Sequence, residues 1–219
     1  MAERKKRPQF STVRERLPKY LRYIEAMEEQ GNKVMSIPGL SKEMGYAQQK
    51  IILDFFYSGI KGKRRVGYKT KDLKKGVYKI TGLDNPHTAV IIGVNPITGL
   101  FLAHPEFKKY NLTILDIFDH NPENIGKNIG GYIVKNLETS FPDHVDIVIV
   151  ADLYESWQNV QEYMDKIFLK DIKLVWDFNL IKVKCPDNIL YVNSDIIVDY
   201  ILVTQKLAMK DFDDFCLDS

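Results

Sequence analysis

The sequence predicts an α/β protein in two parts: a basic helix-turn-helix head carrying a wing, then an open, mostly parallel sheet flanked by helices. Three observations predict it. Residues 1–80 hold 20 Lys and Arg against 8 Asp and Glu, a surplus of 12, while the other 139 residues hold 11 against 21, a deficit of 10. Within the basic stretch, which contains every arginine, two short helical patterns flank a glycine turn, as helix-turn-helix units do. From Thr88 onward short continuous apolar runs alternate with helical patterns, as buried parallel strands and their crossover helices require.

Residues 1–10 read as a basic arm with Arg4, Lys5, Lys6 and Arg7. Ser11 or Thr12 is placed to cap a helix with Glu15 just beyond. Leu17, Tyr20, Leu21, Ile24 and Met27 recur at helical spacing up to a stop at Gly31-Asn32, and Pro18 predicts a kink or a later start. Leu40–Met44 reads as a short helix ended by Gly45, and Ala47–Tyr57 as the second helix of the pair, stopped by Gly59. Gly62–Lys69 is a glycine-flanked basic segment, expected as a hairpin wing. Residues 72–87 read as a linker helix and loop.

Beyond the linker, strands are expected at Thr88–Val94, Leu112–Phe118, Gly131–Val134, Val145–Val150, Lys173–Asp177 and Ile189–Val192. Helices are expected over 97–109, across Trp157–Phe168 and over Ile196–Met209. The expected division is a winged head over 1–80, a nucleotide-binding-type domain over 88–195 and a C-terminal helix and tail over 196–219.

Composition excludes several classes. With 219 residues, 45% hydrophobic and 27% charged, the chain has ordinary globular values and room for a sizeable core. Cys185 and Cys216 form no CxxC motif, which fits a reducing, cytoplasmic setting. No signal pattern is visible, and runs such as Ala89–Val94 fall far below the roughly 18 residues of a membrane helix. His87, His104, His120 and His144 pair with no cysteine or carboxylate at ligand spacing, so no metal site is expected. No nucleophile motif or general base stands out, so no catalytic residues and no enzyme are expected.

Two segments carry binding chemistry. The cationic head suits a polyanion, bound with counterion release and strong salt dependence. After the first strand of the second part stands Gly93-Val94-Asn95-Pro96-Ile97-Thr98-Gly99. A dinucleotide fold places Gly-x-Gly-x-x-Gly here: the first glycine for the tight turn, the second for the pyrophosphate, the third for helix packing. Gly93 is present, Asn95 and Thr98 hold the other two places, and Pro96 removes a backbone N–H. Asp119 ends the second strand 26 residues after Gly93, placed for ribose hydroxyls, with His120 beside it against an adenosine.

Assembled, these segments resemble the Rex family of bacterial redox-sensing transcriptional repressors, from about Arg14 to about Asp211. The resemblance is carried by Arg16-Leu17-Pro18-x-Tyr20-x-Arg22-Tyr23, Ser36, Leu40-Ser41, Asp54-Phe55-x-Tyr57-x-Gly59 and Gly62-Lys63-Arg64-x-Val66-Gly67-Tyr68. In the second part it is carried by Ile92-Gly93-Val94, Phe118-Asp119-x-Asn121-Pro122-x-x-Ile125-Gly126, Ile172-Lys173 and Val192-Asn193-Ser194-Asp195. It implies a Rossmann-type, CoA-binding-like sheet and a homodimer with an exchanged C-terminal helix. It also implies a palindromic operator on double-stranded DNA and NADH or NAD as effector. DNA contacts then fall to Gln48, Gln49, Lys50, Tyr57, Lys61, Lys63, Arg64, Arg65 and Tyr68. The effector falls to Gly93, Asn95, Pro96, Ile97, Thr98, Asp119 and His120, and the dimer interface to Asp195 and Ile196.

The chain departs from the family where ligands touch. Ile52 and Leu53 replace a basic pair in the second helix, and apolar side chains make no bidentate contact to guanine. Ala151-Asp152-Leu153 replaces a Thr-Val-Pro, and Ile196 replaces a phenylalanine. The alternative expectation is therefore a diverged paralogue that keeps the dimer and lacks the NADH response.

Overall fold

The computed structural model describes residues 8–62, 67–138, 140–151, 157–180 and 182–205, without the side chains of 8–12 and 157–159. The chain divides into two compact units, Met1–Asn85 and Pro86–Ser219.

In the first unit α1 (Pro8–Glu29) neither starts after Pro18 nor stops at it, so the expected later start is corrected. Pro8 is the first described residue of the helix. Val13, Leu17, Tyr20, Leu21 and Ile24 form its buried stripe. Two residues, β1 (Val34–Met35), lead to α2 (Ile37–Met44). This helix begins a turn before the expected Leu40, because the Ser36 hydroxyl accepts the Gly39 N–H at 3.2 Å. Next come α3 (Gln48–Tyr57), β2 (Tyr68–Lys69) and α4 (Thr70–Thr81).

The core of the expected wing, Lys63 to Val66, lies outside the described residues. Its root pairs with an element the pattern did not reveal: β2 runs antiparallel to β1, Val34 opposite Lys69 and Met35 opposite Tyr68. Gly67 sits at φ +89°, and a Cβ there would lie 2.6 Å from the Met35 carbonyl oxygen. The linker reading of residues 72–87 is corrected as well. Leu73 and Val77 of α4 are buried, while Lys74 reaches Glu28 at 2.8 Å and the Tyr78 hydroxyl donates to Glu25 at 2.8 Å. The helix is part of the head's core.

In the second unit β3 (His87–Ile92) is followed by α5 (Pro96–Ala103) and α6 (Pro105–Lys109). The single helix expected over 97–109 is two, because His104 precedes a proline and takes extended backbone, φ −81° and ψ 112°. Then come β4 (Leu112–Asp119), the small hairpin of β5 (Asn128–Ile129) and β6 (Tyr132–Ile133), β7 (Lys135–Asn136), β8 (His144–Val150), α7 (Trp157–Ile167), β9 (Asp171–Asp177), β10 (Leu190–Asn193) and α8 (196–205).

Six strands form one sheet in the order β10-β9-β8-β3-β4-β7, every neighbour parallel. Numbered from β3, that is the 3-2-1-4-5-6 order of a Rossmann sheet. Alternate residues of β3 serve opposite faces: Val90 and Ile92 pack with Val160, Met164 and Ile167 of α7, whereas Ala89 and Ile91 pack with Phe101 of α5. On the α5 face Phe101 stacks on Phe107 at 4.6 Å and meets Trp176 edge-on at 5.2 Å.

Near the amino end of β8, Asp146 ties three strands. Its Oδ2 accepts the Thr88 N–H (2.8 Å) and hydroxyl (3.0 Å), and its Oδ1 meets the Lys173 ammonium at 2.5 Å. Lys173 and the Thr88 donors hold this carboxyl at about 2, against the partial burial that opposes ionisation. A carboxyl whose pKa falls on folding stabilises above its unfolded value of about 3.9. That contribution is lost as pH drops through the folded value. Asp146→Asn should therefore cost about 1–2 kcal/mol at neutral pH, discounted for the exposed lysine. It should also flatten the acid-unfolding curve between about pH 4 and pH 2, as read by tryptophan fluorescence. An unchanged acid limb would count against this assignment.

Candidate functional site

In the head, α3 is fixed about its long axis by one buried carboxylate. Arg16 Nε and Nη2 donate to Asp54 Oδ2 and Oδ1 at 2.7 and 2.6 Å, and the Tyr20 hydroxyl donates to Oδ2 at 2.7 Å. Asp54 is 2% exposed, and the pair raises the Arg16 pKa further above its ordinary value. Ile51 and Phe55 face inward with Asp54, so the opposite face carries Ile52, Leu53, Phe56 and Tyr57, all exposed. In the sequence Arg16, Tyr20 and Asp54 carry the family resemblance with no role assigned to them. The i, i+4 spacing of Arg16 and Tyr20 was the available signal.

Gln48, Gln49 and Lys50 form the exposed first turn of α3, and Lys50 Nζ lies 5.1 Å from the Tyr46 ring centroid. Lys61 is exposed just past the helix. Lys63, Arg64 and Arg65 lie outside the described residues. Tyr68 differs from its companions: its ring meets Phe55 edge-on at 5.1 Å and covers Gly62, where a Cβ would lie 2.7 Å from its Cζ. It therefore packs the wing root onto α3, and burial raises its hydroxyl pKa.

In the second unit the chain leaves β3 for β4 on one side and reaches β8 on the other, so a crevice opens at the carboxyl ends of β3 and β8, the switch point of the sheet. Gly93 stands there at φ +98°, a conformation that suits glycine. The structure brings Gly93, Asn95, Thr98 and Asp119 together but directs them at one another. The Gly93 N–H donates to Phe118 O (2.8 Å) and the Val94 N–H to Asp119 Oδ2 (2.9 Å). Asn95 Oδ1 accepts the Ile97 and Thr98 N–H groups at 2.8 and 3.4 Å. The Thr98 hydroxyl accepts the Asn95 N–H (3.4 Å) and donates to Gly93 O (2.5 Å).

Asp119, 3% exposed, also accepts the Asn121 N–H at 2.8 Å and Asn124 Nδ2 at 2.9 Å. Three of its roughly four acceptor positions are used, which ties the loop after β4 to the loop after β3. His120 Nδ1 lies 3.7 Å from Asp119 Oδ1, and its ring stacks on Tyr163 at 5.8 Å. The crevice thus fits a nucleotide by topology, whereas its pyrophosphate turn is already satisfied from within. Asp177, which the sequence did not single out, is fully buried at the carboxyl end of β9. It accepts from the Asn179 and Val183 N–H groups and the Tyr191 hydroxyl at 2.9, 3.2 and 2.7 Å.

Asp195 caps α8, its Oδ1 accepting the Ile197 and Val198 N–H groups at 2.9 and 3.2 Å. Ile196, Ile197, Val198, Tyr200, Ile201, Leu202 and Val203 are all exposed, Ile196 at 77%. No helix among the described residues is long and apolar enough to cross a membrane.

Residues 11–55 match the family model described as a putative DNA-binding protein N-terminus, and residues 84–180 match the CoA binding domain. The chain is 28% identical to a redox-sensing transcriptional repressor Rex of Caldicellulosiruptor saccharolyticus, covering 94% of each chain. It is 29% identical to the protein of that name from Clostridium acetobutylicum, over 87% of this chain and 89% of the other. Among solved structures it is similar to RSP, a Rex-family repressor. In complex with β-NAD+ and operator DNA, RSP matches with a TM-score of 0.83 at 28% identity over 93% and 94% of the two chains. In complex with β-NADH it matches at 0.80, with 27% identity over 93% and 96%.

Proposed function

We propose that this chain, which belongs to the Rex family of redox-sensing transcriptional repressors, represses transcription from a palindromic operator and senses the NADH/NAD ratio at its Rossmann crevice. The observation that carries the reading is the likeness, over nearly the whole chain, to a repressor crystallised with β-NAD+ and operator DNA. The reading keeps the division into a head over 1–80, a sensor over 88–195 and an exchange helix and tail over 196–219. It places the protein in the cytoplasm as a regulator and not an enzyme.

On DNA, Lys50, Lys61, Lys63, Arg64 and Arg65 neutralise phosphates. Gln48 and Gln49 suit adenine edges, and Ile52 and Leu53 suit thymine methyl groups, where a basic pair would read guanine. Tyr57 borders that surface and Tyr68 supports it from behind. In the sensor, Gly93, Pro96 and Ile97 line the turn at the crevice, and the acceptor position that Asp119 has left, with His120 beside it, is assigned to the ribose and the adenosine. Asp195 and Ile196 open the helix that joins two copies, so a two-fold protein meets a two-fold site.

The test has two arms on the full chain. Duplexes selected from a random library should be bound at 50 mM salt, weakened steeply at 200 mM, and released by millimolar NADH but not by NAD. Arg64→Ala should weaken binding and lower the salt slope by about one. Melting in NADH at about 100 times its dissociation constant should gain roughly 2.7 kcal/mol. Indifference to DNA at both salts, or to both nucleotides at millimolar concentration, overturns the reading.

A further inference from the structure

In a Rossmann turn the backbone N–H groups after the first strand are what a pyrophosphate binds. Here every one of them has an internal partner. Gly93 gives its N–H to Phe118 O, Val94 to Asp119, and Asn95 to Thr98. Pro96 has none, Ile97 and Thr98 give theirs to Asn95 Oδ1, and Gly99 gives its own to Asn95 O. The asparagine's other end is also engaged: Asn95 Nδ2 donates to the carbonyl oxygen of Ala151, just past β8. The side chain therefore lies across the carboxyl ends of β3 and β8, on the helix N–H groups that an anion would take. Its backbone is ordinary extended chain, φ −155°, so the position does not itself demand asparagine.

We propose that Asn95 is the residue that sets phosphate affinity at this site: its amide occupies the pyrophosphate position, and a dinucleotide is admitted only as that amide swings out. The proposal rests on the effector reading above and deepens it. The two bonds at 3.4 Å are the weak members of the set, so the hold rests on the Ile97 N–H and the Ala151 carbonyl. A cap and one hydrogen bond, each worth about fivefold in an equilibrium, together hold back binding roughly ten- to thirtyfold. NADH and NAD share the pyrophosphate, so the penalty falls on both alike and leaves the choice between them untouched. A nucleoside without phosphate escapes it.

The experiment is calorimetric titration of NADH, NAD and adenosine into the full chain and into Asn95→Gly and Asn95→Ala. Glycine at a helix N-cap costs only a few tenths of a kcal/mol, and melting of each ligand-free variant checks the fold. The expected result is NADH and NAD tightened at least tenfold in Asn95→Gly and by less in Asn95→Ala, whose Cβ still stands near the pyrophosphate, with adenosine unchanged. Equal or weaker dinucleotide binding in folded variants overturns the proposal, as does an equal gain for adenosine. Binding by the variants alone supports the proposal and overturns the effector reading for the natural chain. Silence in all three proteins overturns both.

Discussion

Arg16→Met should cost the head about 3–5 kcal/mol, because it strands a buried carboxylate. Asp54 is 2% exposed and takes three hydrogen bonds, two of them from the one guanidinium. With Arg16 gone, the Tyr20 hydroxyl alone faces it. Asp54→Leu should also destabilise, leaving the guanidinium and the phenol without their acceptor. The double variant, with both charges replaced by apolar volume, should recover much of the loss. The head has no tryptophan, since Trp157 and Trp176 both lie in the second unit. Head unfolding is therefore read by far-ultraviolet circular dichroism, with tryptophan emission as the internal control. Losses below about 1 kcal/mol for both single variants would mean that the pair is not what holds α3, since such a value is typical of an exposed ion pair.

Ile197→Glu combined with Ile201→Glu should turn the proposed dimer into a monomer at micromolar concentration. The two positions are four apart on α8, and their neighbours Ile196, Val198, Leu202 and Val203 are exposed too. Apolar residues on nearly every side of a helix are the mark of one that is buried in use. Each large aliphatic side chain removed from water contributes about 1.5–3 kcal/mol. Two carboxylates in such an interface therefore weaken association at least a hundredfold. Sedimentation or light scattering reads the mass, and DNA affinity should fall with it, because one head alone grips one half-site. A double variant that stays dimeric would remove α8 from the interface.

The elements legible in the sequence are those whose pattern is strong and local. The run Thr88–Val94 predicts a strand because apolar residues continue without alternation, as a strand buried on both faces requires, and the structure forms it over His87–Ile92. Ala47–Tyr57 reads as a helix up to the stop at Gly59, and the structure forms it over Gln48–Tyr57. The core role of α4 is hidden in the sequence because Lys71, Lys74, Lys75 and Lys79 outnumber the Leu73–Val77 stripe, which the structure buries. Pro105 marks the break at His104, which the single helix expected over 97–109 runs across. The strand Val34–Met35 is too short to have a period, and only its partner across the wing defines it.

In the sensor, the loss of the glycine fingerprint was visible, but its meaning was not. Read along the chain, Asn95 is a missing glycine. In three dimensions it is a substitute ligand for its own turn, and half of that role depends on Ala151, 56 residues away. Asp119 likewise read as an acceptor for a ribose, whereas three of its lone-pair positions serve the loops around it.

The pairing of Val34–Met35 with Tyr68–Lys69 is reinforced where Thr70 gives its N–H to Lys33 O at 3.0 Å and its hydroxyl to Asn32 O at 2.6 Å. These contacts cinch both ends of the stretch holding α2, α3 and the wing, so that stretch is a closed loop and not a hanging arm. The knot at residues 32–35 and 67–70 lies between the end of α1 and the start of α4. The setting of α3 is thus fixed by contacts at residues 32–35 and 67–70. A change at the knot itself, Gly67 above all, moves wing and helices together.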